Sequence, residues 1–337
     1  MEDFMDHSAE NRIKNLIKHP AENAKESDRK NSMEHPAQNF MEHPMQDSME
    51  YPAQDSVGDL GIVDFHTHIF PEKIAVRTIR KLEAKADVKA YSDGREASLI
   101  SSMKQAGVDL SIVLPVVTAP EQFDTVNHFA AALNEKYCNQ KPRLLSFGGI
   151  HPDSPDYKKQ LRTIQSLGLR GIKLHPDYQN TFFDDIRYMR ILDYASQLNL
   201  TVVVHAGIDI GYPDNVRCTV KSITKVLDEV APEKLVLAHY GGFKMWDEVA
   251  ESVAGRNVYL DTAYTADFIE DGIFLKILEK HGADRILFAT DSPWSGQAES
   301  LAHIRRLVKH PADLRKILGQ NAGRLLGLKM KEVGQSA

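Results

Sequence analysis

"GIVDFHTHIF", residues 61–70, is the stretch that decides the fold. A run of strand-forming residues ends in His66-Thr67-His68. Side chains alternate across a strand, so residues two apart share a face. Asp64, His66 and His68 are therefore expected on one face, with the two histidine Cα atoms about 7 Å apart. Two imidazoles at the end of an apolar strand suit a pair of ligands gripping one ion. The same pattern also arises where one ring is bonded in a core and the other is solvated, so the rest of the chain must decide.

Seven further apolar runs follow: 110–117, 144–152, 169–176, 200–207, 234–242, 257–264 and 285–294. Helix-period segments alternate with them at 73–86, 95–106, 122–138, 155–167, 185–198, 216–230, 243–254 and 268–281, and residues 311–328 add one or two more helices. Gly107, Gly168, Asn199, Gly255 and Gly282 stand where helices should stop. Near-continuous apolar strands imply a parallel sheet covered on its outer side. Eight strand–helix units imply a closed (β/α)₈ TIM barrel. An open doubly wound sheet would need fewer strands, and the Gly-rich phosphate fingerprint is absent after the first.

The barrel is expected over residues 59–330, with a short tail at 331–337. Residues 1–58 read differently. "SMEHPAQNF", "MEHPMQDS" and "MEYPAQDS" form a tandem repeat from Ser32 to Ser56, with a degenerate relative at Ile17. Each copy carries a proline and too little apolar surface to offset the entropy of ordering, so a disordered tail is expected. The net charge of −6 over 337 residues lacks the basic footprint of a nucleic-acid binder. No apolar run is long enough to span a membrane, and the N-terminus lacks a signal-peptide pattern. Cys138 and Cys218 form no motif, which fits a reducing compartment. These features together predict a soluble, cytoplasmic protein acting on a small molecule. Its oligomeric state is not legible.

In a TIM barrel, chemistry belongs at the C-terminal ends of the strands. Six of the ten histidines beyond the tail stand there: His66, His68, His151, His175, His205 and His239. Lys173 lies on the fourth strand and Asp291 near the end of the eighth. His66, His68, His205 and Asp291 should converge on one divalent ion, most readily Zn²⁺, with Mn²⁺, Fe²⁺ or Co²⁺ as alternatives. Asp64 or Asp261 could accept the outer N–H of a ligand imidazole. Gly241-Gly242 could present backbone N–H groups to an anion, or simply turn the chain.

The motifs "DFHTH", "GIKLHP", "VVVHAG", "VLAHYGG" and "FATDSPW", in this order over residues 61–328, resemble the metal-dependent amidohydrolase superfamily, most closely amidohydrolase family 2. The resemblance implies a distorted TIM barrel with His66, His68 and His205 as ligands. It implies that Asp291 binds the metal and handles a water proton. His239 would be a second-metal ligand or a catalytic acid/base. Binuclear relatives carry a carboxylated lysine on strand four. Here His175 shares the face of Lys173 and lies nearer the mouth, which favours a structural lysine and one ion. The TatD-like deoxyribonucleases use a bridging carboxylate from a middle strand, and no Glu ends strand three or four here.

The expected activity is hydrolysis of an amide, ester or lactone, with His239 and Asp291 as the catalytic pair. His151, His175, Tyr264 and Trp294 are candidate substrate contacts. The same branch contains non-oxidative decarboxylases, which are lyases acting on aromatic or unsaturated carboxylates. That reading would enlist cations such as Arg77, Arg217, Lys221 and Lys244, and aromatic walls from Tyr178, Tyr212 and Tyr240. A metal-bound scaffold without catalysis is the third reading.

Overall fold

The computed structural model describes residues 60–330; the repeat-bearing tail and residues 331–337 lie outside the described residues. Eight parallel strands follow one another round the barrel: β1 (Val63–Thr67), β2 (Leu110–Val113), β3 in two pieces (Arg143–Ser146 and Gly148–Gly149), β4 (Gly171–Leu174), β5 (Thr201–Val204), β6 (Leu235–Leu237), β7 (Tyr259–Asp261) and β8 (Ile286–Leu287). Each pairs in parallel with the next, Leu110 beside Arg143, Gly148 beside Ile172 and Leu260 beside Ile286 among them. The break in β3 falls at Phe147, whose N–H still reaches the Val113 carbonyl at 2.9 Å. β8 returns to β1 through Phe65 N–H to Phe288 O at 2.9 Å and Asp291 N–H to His66 O at 2.8 Å. The sheet is closed, and the chain is a (β/α)₈ TIM barrel.

Two apolar clusters follow from the period-two alternation of the strands. Val63, Phe65, Leu110, Ile112, Leu145, Phe147, Val203, Val236 and Leu287 form one, joined by Leu325, Leu326 and Leu328. The alternate residues Ile172, Leu174, Val202, Val204, Leu235 and Leu237 pack instead with the helices, for example Leu161, Ile223 and Val249. One set fills the bore and the other seals the sheet to its outer ring.

Two helices (Ala75–Ala86 and Glu96–Ala106) separate β1 from β2, and one helix follows each of the next six strands. The helix after β8, Gln297–Leu307, was not expected from the sequence. Its buried face mixes Leu301, Ile304 and Leu307 with Gln297, Ser300 and His303, which blunts the apolar stripe. The strands are also shorter than the apolar runs. Runs 234–242 and 285–294 leave the sheet at Leu237 and Leu287. The residues beyond them form turns, and those turns carry the polar groups.

Candidate metal centre

Where β1 meets the chain beyond β8, three side chains come together. His66 Nε2 lies 3.1 Å from His68 Nε2. Asp291 Oδ1 lies 3.3 Å from the first and 3.0 Å from the second. The outer nitrogens are committed elsewhere. His68 Nδ1 stands 2.9 Å from the Leu114 carbonyl oxygen. That oxygen can only accept, so Nδ1 carries the proton. His66 Nδ1 stands 3.0 Å from Asp261 Oδ2. Both Nε2 atoms thus turn lone pairs toward each other and toward a carboxylate oxygen. Three acceptors this close repel unless positive charge stands among them. The Lys173 ammonium supplies some, with Nζ 3.1 Å from His66 Nε2. Two imidazole nitrogens and one carboxylate oxygen are a donor set that a divalent ion fits, and three protein ligands with an open position is the pattern of catalytic zinc.

Asp261 ties this group to β6. Its Oδ2 holds His66, while its Oδ1 accepts the backbone N–H of His239 at 3.0 Å and of Ala263 at 3.1 Å. A carboxylate behind a ligand imidazole fixes the ring's tautomer and direction. Burial, reinforced by the Lys173 charge, holds the His66 imidazole well below its ordinary range. Burial also pulls the Lys173 ammonium down and pushes the Asp261 carboxyl up, while their mutual attraction opposes both shifts.

A second group lies beside the first. His239 Nδ1 is 3.0 Å from the Ala263 carbonyl, so Nδ1 carries its proton and Nε2 a lone pair. That lone pair faces His205 Nδ1 at 2.9 Å, which must therefore be the donor. His205 Nε2 is left as a buried acceptor with no partner. The His205 ring stacks on His175, with centroids 4.2 Å apart and planes 11° apart. His175 Nε2 lies 3.4 Å from Asp209 Oδ2. Donor atoms of His175, His205 and Asp209 fall within 4.8 Å of one another, as do those of His66, His68 and Asp291. The structure thus brings three of the four expected ligands together and sets His205 in the neighbouring group. Burial holds His175, His205 and His239 below the usual imidazole range.

Backbone geometry, rather than strand parity, aims several of these groups. Asp291 (φ 68°), His239 (φ 56°), Tyr240 (φ 58°) and Tyr264 (φ 54°) all occupy the left-handed region just past a strand end. Such conformations cost about 1–3 kcal/mol each and persist only where surrounding contacts impose them. Here Asp291 N–H is tied to His66 O, and Trp246 Nε1–H holds the His239 carbonyl at 3.0 Å. On β1, Asp64 to Thr67 spans three steps while Ser111 to Val113 on β2 spans two, so β1 carries a bulge. The expected shared face of Asp64 and His66 is lost there. Asp64 instead accepts from Thr290 N and Oγ1 and from Gln297 Nε2 at 3.0, 2.6 and 2.7 Å, pinning β1 to the chain after β8.

The other expected residues are dispersed. His151 Nδ1 accepts the Asp153 N–H at 3.1 Å and lies in neither metal-ligand group. Tyr264 sits one ring out from His239: Phe243 is 6.1 Å from His239 and 5.7 Å from Tyr264. Trp294 is half-buried, and its backbone N–H donates to the Asp291 carbonyl at 2.8 Å. Tyr178 stacks on the free face of His175 at 3.8 Å. Tyr240 is no mouth residue: it is fully buried and stacks on Phe274 at 4.6 Å. Gly241 and Gly242 spend their N–H groups on Ala238 O and His239 O, closing a turn and leaving nothing for an anion. Arg217 is engaged with Asn180, Asn215 and Asp177, whereas Arg77 and Lys221 are exposed on helices. Asp209 escaped the sequence reading. It lies in a loop beyond β5, and no spacing rule marks it.

A closed (β/α)₈ barrel with its polar groups gathered past the C-terminal strand ends is the architecture of an enzyme. A family profile described as amidohydrolase matches residues 63–328, and the chain belongs to that family of metal-dependent enzymes. No curated protein matches the sequence. Among solved structures, an uncharacterised TIM-barrel protein from Bordetella bronchiseptica is 19% identical with a TM-score of 0.64, covering 79% of this chain and 98% of its own. A dihydroxybenzoic acid decarboxylase from Polaromonas sp. JS666, solved with bound manganese and 2-nitroresorcinol, is 16% identical with a TM-score of 0.59, covering 81% and 98%. A probable 2-pyrone-4,6-dicarboxylic acid hydrolase from Acinetobacter baumannii is 15% identical with a TM-score of 0.56, covering 80% and 100%. At these identities the likeness is one of fold. Among the described residues, no helix is long and apolar enough to cross a membrane.

Proposed function

We propose that the protein hydrolyses an amide, ester or lactone bond of a small molecule at a single divalent ion, with zinc the metal best matched to the donors. The observation that carries this reading is the meeting of His66 Nε2, His68 Nε2 and Asp291 Oδ1 within 3.3 Å of one another. His205 is proposed as a fourth ligand on separate ground, its buried and unpartnered Nε2. A divalent ion at these atoms supplies positive charge that polarises a carbonyl and acidifies water. Asp291 takes a proton from the attacking water. His239 Nε2, once released from the His205 Nδ1–H that it accepts, takes that proton in turn and delivers it to the leaving group. Asp261 holds the His66 ring and the His239 backbone, and so ties the proposed ligand to the proposed acid/base.

A second reading, loss of CO₂ from an aromatic or unsaturated carboxylate, is favoured by one feature. Phe243, Tyr264 and Phe268 build an aromatic group outward from His239, and Lys244 Nζ lies 4.7 Å from the Phe268 ring centre. Such a surface suits a flat anionic substrate. The manganese-bound decarboxylase is a structural neighbour of the same fold. A substrate panel of amides, lactones and aromatic acids, read for hydrolysis and for CO₂ release, separates the two. On the substrate found, chelation should abolish activity. His239→Ala should lower turnover about 10²- to 10⁴-fold with metal content retained. Full activity in chelator, or an unimpaired His239→Ala enzyme, overturns the scheme.

A further inference from the structure

His175 belongs to no step above, yet it is among the most constrained side chains near the site. Its ring is sandwiched, with Tyr178 on one face at 3.8 Å and 18° and His205 on the other at 4.2 Å and 11°. Its backbone N–H donates to Gln179 Oε1 at 3.0 Å. Gln179 is itself fixed by the carbonyls of Val117 and Ile150 and by the Tyr188 hydroxyl. The edges of the ring are committed too. Nδ1 accepts the Tyr178 N–H at 3.4 Å, so in the neutral ring the proton sits on Nε2. Nε2 faces Asp209 Oδ2 at 3.4 Å, and Asp209 Oδ1 accepts the Gly211 N–H at 2.8 Å. The protonated Nε2 of His175 thus faces the Asp209 carboxylate and has no lone pair for an ion.

The opposite holds for His205. Its Nδ1–H is spent on His239, and its Nε2 lone pair is buried with no donor. Two contacts set the direction of that lone pair: the hydrogen bond to His239 at one edge and the stack on His175 at one face. We infer that His175, tethered by Asp209 and clamped by Tyr178, is a positioning residue that holds the His205 ring in the plane from which its free nitrogen binds the metal. The inference rests on the metal reading given above. It also decides what the grouping of His175, His205 and Asp209 means: a stacked and charge-tethered brace for one ligand, and not a pocket for a second ion.

The test is metal binding by the full chain. Zinc content after dialysis gives stoichiometry, and competition against a chromophoric chelator gives affinity. The visible spectrum of the Co²⁺-loaded protein reports ligand geometry. Wild-type protein should bind one ion. His175→Leu and Asp209→Ala should weaken zinc about 10- to 100-fold and alter the Co²⁺ spectrum, at unchanged stoichiometry. Asp209→Asn keeps an oxygen acceptor for His175 Nε2–H and should restore affinity to near wild type. Circular dichroism identifies an unfolded variant, and Asp209, in a loop, is the safer site. Affinity and spectrum unchanged in both His175→Leu and Asp209→Ala overturn the positioning role while leaving the metal centre intact. Two ions in wild type, falling to one in His175→Leu, make His175 a ligand and also overturn it. Wild-type protein that takes up no divalent ion overturns the metal reading itself, and the brace with it.

Discussion

Asp64 shows how a single buried carboxyl couples the strand end at His66 to barrel closure. It has no exposure and accepts four hydrogen bonds, from His66 N, Thr290 N, Thr290 Oγ1 and Gln297 Nε2. Burial outweighs these bonds and raises its pKa to about 6, from an ordinary value of 3.8. In the unfolded chain the group ionises near pH 4, whereas in the fold it keeps its proton to about pH 6. Unfolding between those values therefore releases a proton. The contribution of Asp64 to stability is full below about pH 4 and is lost as pH rises through 6, by about 3 kcal/mol. Asp64→Asn removes this dependence. An Asn amide can be accommodated if Gln297 turns its carboxamide, because Gln297 Oε1 is buried and unpartnered. Denaturant unfolding of the two proteins from pH 4 to pH 7 should show the wild type losing ground to the variant up to pH 6, with a constant difference above. A difference that moves the other way refutes the assignment.

Strand ends, rather than strands, carry this site, and Gly207 sets two of them side by side. It has φ +86°, and a Cβ there would lie 2.1 Å from Phe243 N and 2.6 Å from Phe243 O. Around it the chain beyond β5 pairs with the turn beyond β6: Phe243 N–H reaches Ala206 O at 2.8 Å, and Ile208 N–H reaches Phe243 O at 3.1 Å. His205 and His239 enter this junction from opposite sides. Gly207→Ala adds both a disfavoured backbone conformation and an overlap with main-chain atoms that cannot swing aside. A loss of about 4 kcal/mol or more, or failure to accumulate as soluble protein, is expected. Urea unfolding of purified variant within 1 kcal/mol of wild type would show that the junction yields. The same strand ends mark where sequence reading stops. The bore and sheet pattern was legible because apolar alternation is a property of strands. The positive φ of Asp291 and His239 and the bulge after Asp64 come from contacts distant in sequence. Parity arguments carried through those residues give wrong faces, as for Asp64 and His66.

At the scale of the molecule, one end of the barrel concentrates groups that cannot all be satisfied by protein alone. The sequence disclosed most of this crowding: of the six histidines at predicted strand ends, His66, His68, His175, His205 and His239 stand together, and His151 lies in neither group. It did not disclose Asp209 or the buried face of the helix at Gln297–Leu307, whose Gln297 meets Asp64 and Ser111 only in the closed barrel. The fold holds His66, His175, His205 and His239 neutral by burial. Below about pH 6.5 the unfolded chain takes up protons that these folded imidazoles refuse, so the metal-free protein should lose stability as pH falls through that range. A divalent ion acts in the other direction. It would bind lone pairs that exist only in the neutral rings and only when the strand ends are assembled. An ion present at 100 times its dissociation constant should add about 2.7 kcal/mol, or about 5–10 °C in unfolding midpoint for a barrel of this size. Proton competition should shrink that gain at pH 5.5 relative to pH 8. Calorimetry of zinc-loaded and chelator-treated protein at both values measures it. Equal midpoints with and without metal at pH 8 would mean that His66, His68 and Asp291 are held together by protons and Lys173 alone.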